Sequence, residues 1–144
     1  KLLLTTKTAM EKILDPGLDK VRKYTAEEIN SQIDQKTREN ILWYSREDPD
    51  VIAARMAELD KEWDTERVLI LNASTLTLAS LFLGITKNRL WFMMPVVISF
   101  FLAQHAWQGW SPPLNLIRKA GVRTRKEIDM EKYALMDALK SRQA

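Results

Sequence analysis

The chain has 144 residues, 46% of them hydrophobic and 28% charged, with a net charge of +3 and a single histidine. It contains no cysteine, which excludes disulfides, thiolate chemistry and cysteine-based metal sites; one histidine excludes a multi-histidine metal centre within one chain. The basic balance by itself is compatible with a nucleic-acid partner. Its excess, however, follows directly after an apolar stretch, where a juxtamembrane segment carries it, so no nucleic acid is expected.

The charges are unevenly placed. Residues 1–67 carry 12 Lys/Arg against 15 Asp/Glu. Residues 68–110 carry only Lys87 and Arg89, and residues 111–144 carry 8 Lys/Arg against 4 Asp/Glu. An apolar centre therefore lies between two polar ends. The expected organisation is a cytoplasmic helical region over 1–67, a transmembrane hairpin over 68–110 and a basic juxtamembrane segment with a C-terminal helix over 111–144.

In chain order, Thr8-Ala9-Met10-Glu11 has the form of a capping box, and Asp15-Pro16-Gly17 stops the short helix it would open. Thr25-Ala26-Glu27-Glu28 is a second box, opening a helix to about Tyr44. Asp48-Pro49 starts a third helix, with Asp as N-cap and Pro in the first helical position. Ile52, Met56, Leu59 and Trp63 form one stripe on it. Packing on neighbouring helices is the expected use, and a seam with a second copy is the alternative. No Gly or Pro follows, so this helix is expected to run directly into the first span.

The first span is expected over residues 68–85, about 27 Å of helix, just enough for a hydrocarbon core of about 30 Å. Residues 86–89 form a polar loop that allows only an antiparallel pair. The second span is expected over 90–110, bent by Pro95 near its start. Trp91 at one end and Trp107 and Trp110 at the other stand about 24–28 Å apart along a helix, the separation of two interfacial belts, and Trp63 would join the inner belt. Eight Lys/Arg near the flanks against two in the loop place both termini inside. Ser111-Pro112-Pro113 ends the span, and residues 114–120 read as a short interfacial helix stopped by Gly121. Thr124-Arg125-Lys126-Glu127 is a further capping box, opening an amphipathic helix with Ile128, Leu135 and Leu139 on one side.

Four polar residues stand out in the spans. His105 is the one candidate cofactor site. An intramembrane imidazole can ligate a haem or chlorin or bond a quinone oxygen, whereas the plainer role is a neutral ring bonded to the other helix. Gln104, His105 and Gln108 form a patch at i, i+1 and i+4. Registered around the loop, Asn72 comes level with it, so an interhelical bond from Asn72 to Gln104 or His105 is expected. Ser99, Ala103 and Ala106 on the second span, and Ser80 and Gly84 on the first, are expected to bring the two helices close, with contact between copies as the alternative. The acidic run Asp60, Glu62, Asp64 and Glu66 reads as solvated helix surface. No glycine-rich phosphate loop occurs, and no catalytic residue or metal site is expected.

The segment Gln104-His105-Ala106-Trp107-Gln108-Gly109-Trp110-Ser111-Pro112-Pro113-Leu114, with Arg118-Lys119-Ala120-Gly121-Val122-Arg123 after it, resembles a family. It is the small two-helix inner-membrane domain of unknown function appended to bacterial membrane rhodaneses and also found alone. The resemblance covers roughly residues 65–125. It implies a bacterial inner-membrane hairpin, often dimeric. Ser111 stands where that family usually has a cysteine, which removes the thiol that persulfide handling needs.

Taken together, these residues lead to the expectation of an all-α, non-enzymatic membrane protein without a bound cofactor. Its partners would be the lipid bilayer and a larger membrane complex or a second copy, as an accessory or scaffolding subunit. The alternatives are a cofactor-binding membrane protein using His105 and a sulfur-handling module working with a separate sulfurtransferase.

Overall fold

A computed structural model describes residues 19–143. The expected capping box at Thr8 and the stop at Asp15-Pro16-Gly17 lie outside the described residues. Seven α-helices follow one another: α1 (Lys20–Lys23), α2 (Glu27–Tyr44), α3 (Pro49–Lys61), α4 (Thr65–Thr86), α5 (Met93–Gln108), α6 (Leu114–Lys119) and α7 (Arg125–Gln143), with a 3₁₀ turn at Arg89–Phe92 leading into α5. No strand occurs among the described residues.

The core of the polar part lies between α3 and α7. Ile52 and Leu59 on one helix and Ile128 and Leu135 on the other are fully buried, with Tyr44, Met56 and Leu139 packed around them. Ile52, Met56 and Leu59 of the expected stripe thus cover the C-terminal helix of their own chain, whereas Trp63 lies past the end of α3 and is exposed. The capping box of α7 forms as its sequence predicts: the Thr124 amide donates to Glu127 Oε2 at 2.7 Å, and the Glu127 amide reaches Thr124 Oγ1 at 3.4 Å. At the far end, Arg142 donates to the carbonyls of Glu47 and Ser45 and fastens α7 to the turn between α2 and α3.

Two helical stretches, one ending at Thr86 and the other Arg89–Gln108, are long and apolar enough to cross a membrane. They pack antiparallel. On α4 the buried positions are Thr65, Leu69, Ala73, Ser80 and Gly84, one stripe at spacings of 4, 4, 7 and 4. Gly84 lies under the Phe92 ring so closely that a Cβ there would meet the ring at about 3 Å. On α5, His105 is buried and Pro95, Ile98, Phe101, Leu102 and Gln104 are partly enclosed.

Several expectations are corrected. Thr25 does not cap α2. Its hydroxyl donates to the Val21 carbonyl at 2.8 Å, and Ala26 occupies the cap position without a side-chain bond. Helix α3 does not run into the first apolar helix. The chain breaks at residues 62–64, because Asp64 accepts from the Arg67 amide at 2.9 Å as an N-cap and the Thr65 amide is taken by the Arg123 carbonyl, also at 2.9 Å. Helix α4 therefore starts at Thr65, earlier than residue 68. Pro95 sits in the first turn of α5, where its missing N–H forfeits no intrahelical bond. Helix α5 stops at Gln108 through Gly109, which has φ 78°, so Trp110 lies beyond the helix. The small residues Ser99 and Ala103 are exposed rather than held between the two helices, and Ala106, also exposed, borders the cleft beside Leu102 and His105. Gly121, at φ 82°, stops α6 as expected.

Truncation of the core should be costly. Leu135→Ala, at a fully buried position, should lower unfolding free energy by about 2–5 kcal/mol in a denaturant titration followed by circular dichroism. Val51→Ala, on the exposed side of α3, should change it by less than about 1 kcal/mol.

Candidate functional site

The segments entering and leaving the apolar pair meet α1 and the start of α7 at one junction. Two features are built there: a buried lattice of ion pairs and, beside it, a cleft.

The lattice centres on Glu127 and Glu131, one helical turn apart on α7 and both fully buried. Arg118 forks onto Glu127 with Nη1 and Nη2 at 2.7 and 2.8 Å. It also donates to Asn30 Oδ1 at 2.9 Å and to the Val122 carbonyl at 3.0 Å. Arg22 donates to the same Glu127 and forks onto Asp34 at 2.9 and 2.8 Å. Glu131 takes Arg123 and, at 2.9 Å, Arg55. Arg123 in turn reaches Glu62, with Nε at 2.8 Å from Oε1.

Electrostatics follows from this geometry. Burial alone pushes the Glu127 carboxyl up. The Arg118 bonds and charge, the Thr124 amide and the Arg22 charge outweigh that and hold it below the usual carboxylate range. Burial likewise opposes the charge on Arg22, Arg55 and Arg123. Their carboxylate partners, chiefly Asp34 for Arg22, Glu131 for Arg55 and Glu62 with Glu131 for Arg123, raise all three above the ordinary guanidinium value.

Arg55, Arg118 and Arg123 are therefore not the free juxtamembrane cations that their sequence positions predict, and Glu62 is not solvated helix surface. A basic residue just past an apolar stretch carries no local signal that it will fold back. Only the box at Thr124 marks Glu127 as an acid with an assigned place.

The cleft, of about 500 Å³, opens between α4, α5, α1 and the first turn of α7. Its floor holds the predicted candidate His105, which is 5% exposed. His105 Nε2 lies 3.0 Å from Glu66 Oε1, and its Nδ1 is buried with no partner among the described residues. A carboxylate oxygen only accepts, so Nε2 carries the shared proton. The expected bond from Asn72 to His105 or Gln104 does not form. Asn72 is about 100° round the helix from the buried Ala73; it is exposed and donates to its own Val68 carbonyl at 2.9 Å. Gln104 and Gln108 pair weakly with each other at 3.4 Å. A ligand axial to His105 needs a free ring nitrogen. In this geometry Nε2 is held by Glu66 and Nδ1 is enclosed, so such a ligand would have to displace Glu66. Metal-binding clusters of His, Asp and Glu are absent among the described residues.

Helix α1 closes one side of the cleft. Lys20 Nζ donates to the Trp107 carbonyl at 3.0 Å, placing a cation at the carbonyl end of α5. Gly109 abuts this segment so tightly that a Cβ would stand 2.3 Å from Lys20 Cβ. Asp19 is spent locally, accepting from the Val21 amide and, at 2.8 Å, from the Thr124 hydroxyl. The expected anchors divide: Trp63, Trp91 and Trp107 are exposed, with the Arg67 guanidinium 4.7 Å above the Trp63 ring, while Trp110 is half-buried. Ser111 is buried, and its Oγ has no partner among the described residues.

No family model matches the chain, and neither a curated protein nor a solved structure does.

Removing one partner from a buried ion pair is expensive. Glu127→Gln should lower stability at neutral pH by about 3–5 kcal/mol. Because the folded carboxyl titrates below its free value of 4.5, its contribution is complete above that pH and is lost as the pH falls through the lower folded value. The gap in unfolding free energy between wild type and Glu127→Gln should therefore shrink between about pH 6 and about pH 3, measured by denaturation at each pH.

Proposed function

We propose that this chain is a non-enzymatic integral membrane protein, an accessory or scaffolding subunit whose hairpin docks on another membrane-embedded chain. The observation that carries the reading is what the two apolar helices turn outward. Leu78, Phe82, Ile85, Leu90 and Phe100 are each more than 60% exposed, as lipid contact requires. Among these side chains stand small and polar residues: Asn72 and Thr75 on α4, and Ser99 and Ala103 on α5. Polar residues in a span favour a helix to face, and small ones admit it closely. With the hairpin's own contact made elsewhere, a partner span supplies that helix: a second copy or a subunit of a larger complex.

Orientation is part of the proposal. Setting aside Arg55, Arg118 and Arg123, which are paired to the buried acids, Lys61, Arg67, Lys119, Arg125 and Lys126 flank the helix-bundle end, against Lys87 and Arg89 at the loop. The bundle and both termini are accordingly assigned to the cytoplasmic side of a bacterial inner membrane. The likeness of residues 104–123 to the rhodanese-appended domain supports the same setting.

The chain has no native cysteine, so single labels report cleanly. Asn88→Cys should react with a membrane-impermeant maleimide from the periplasmic side, and Ser141→Cys only after the membrane is opened. Reaction of both from the same side overturns the hairpin. The docking face has its own test. Asn72→Leu with Ala103→Leu should shift the protein in mild detergent from an assembled species to the single chain on sizing with light scattering, with its helical content kept. A wild type that runs as a lone chain overturns the scaffold reading.

A further inference from the structure

The cleft beside His105 is built from two unlike walls. Toward the apolar helices it is lined by Leu69, Ile70, Leu102 and Ala106, and at the opposite rim stand Lys20, Arg125 and Lys126. Of the two acids in it, Asp19 is buried and bonded by Thr124 and the Val21 amide, and Glu66, half-exposed, is bonded by His105. Lys20, Arg125 and Lys126 against these two acids leave the cleft one positive charge in excess. Arg125 is 44% exposed and contacts Asp129 at 3.2 Å and Asp60 at 3.9 Å; partly exposed pairs of this kind hold weakly and exchange partners readily. Lys20 uses one proton on the Trp107 carbonyl and has two more to donate. Ile70, 57% exposed, continues the apolar wall out onto the flank of α4.

We propose that this cleft binds one anionic phospholipid, its phosphate held by Lys20, Arg125 and Lys126 and its acyl chains lying along Ile70, Leu102 and Ala106. The inference rests on the membrane reading above, which sets the junction at the level of the headgroups. A phosphate in solution would use the cations but gain nothing from the apolar wall, and a zwitterionic lipid would use the wall but bring its own ammonium to a cationic rim. An anionic lipid satisfies both.

The test uses the full chain reconstituted in vesicles of phosphatidylcholine with one-tenth phosphatidylglycerol, extracted gently and read by native mass spectrometry. Wild type should retain phosphatidylglycerol over phosphatidylcholine by at least about tenfold after correction for supply. Lys20→Gln with Arg125→Gln and Lys126→Gln should abolish the preference. Ala106→Phe should abolish it too, because it fills the apolar wall and leaves every charge in place. Removing three charges elsewhere, by Lys36→Gln, Arg38→Gln and Lys140→Gln, should leave it intact. Equal retention of the two lipids by wild type overturns the site, as does a preference that survives Ala106→Phe. Displacement of phosphatidylglycerol by millimolar inorganic phosphate reassigns the cleft to a soluble anion and also overturns the lipid. A chain that fails to float with the vesicles overturns the membrane reading and this inference together, whereas one that floats without lipid preference overturns this inference alone.

Discussion

The carboxylate of Glu127 receives Arg118 from behind the second apolar helix, Arg22 from ahead of the first, and the Thr124 amide that opens its own helix. One distant segment, at Arg22, and two neighbouring ones, at Arg118 and Thr124, thus converge on one fully buried acid. An ion buried so deeply is tolerable only when every lone pair is occupied, and here the partners come from both ends of the chain. The apolar pair imposes little by itself, being two helices joined by a short turn. Glu127 and, one turn along, Glu131 fix where the chain on either side of that pair lies.

The lattice also accounts for the break ahead of α4. Continuous helix from α3 would carry Glu62 and Thr65 round with it. Instead Glu62 reaches Arg123 and Thr65 donates to the Arg123 carbonyl from both its amide and its hydroxyl. The stretch at residues 62–64 is the cost of presenting both to the returning chain. Glu66 sits on the first turn after this break, on the side that meets His105. Site and clamp are consecutive consequences of one interruption.

Much of the architecture was legible because it is written in local chemistry. The stripe Ile52, Met56, Leu59, the reciprocal box of Thr124 and Glu127, the left-handed stop at Gly121 and the two charge-free stretches are periodicity and backbone propensity, which neighbours along the chain determine. What sequence reading missed is settled by distant partners. Asp64 before Thr65 was an available cap signal, but nothing nearby says that an arginine will take the acid two residues earlier. The register of the hairpin was read from loop length alone. The 3₁₀ turn at Arg89–Phe92 rises about 2.0 Å per residue rather than 1.5, and helix phase puts Ala73, not Asn72, on the shared face. The partner of His105 therefore came out as Glu66. Arg118 and Arg123 looked like solvent-facing charges because burial of a guanidinium depends on acids that other segments bring to it.

The tight seat of Lys20 against Gly109 sets an order on biosynthesis. Helix α1 leaves the ribosome early, yet its resting place needs residues more than 85 positions later: the Trp107 carbonyl, and beyond it Glu127 for Arg22. A contact of such separation closes a long loop and forms slowly. Helix α1 can pair at once with α2 through Arg22 and Asp34, but it takes its seat against α5 and α7 only after both apolar helices are made and α7 has begun. Arrival of Glu127 is what shuts the junction.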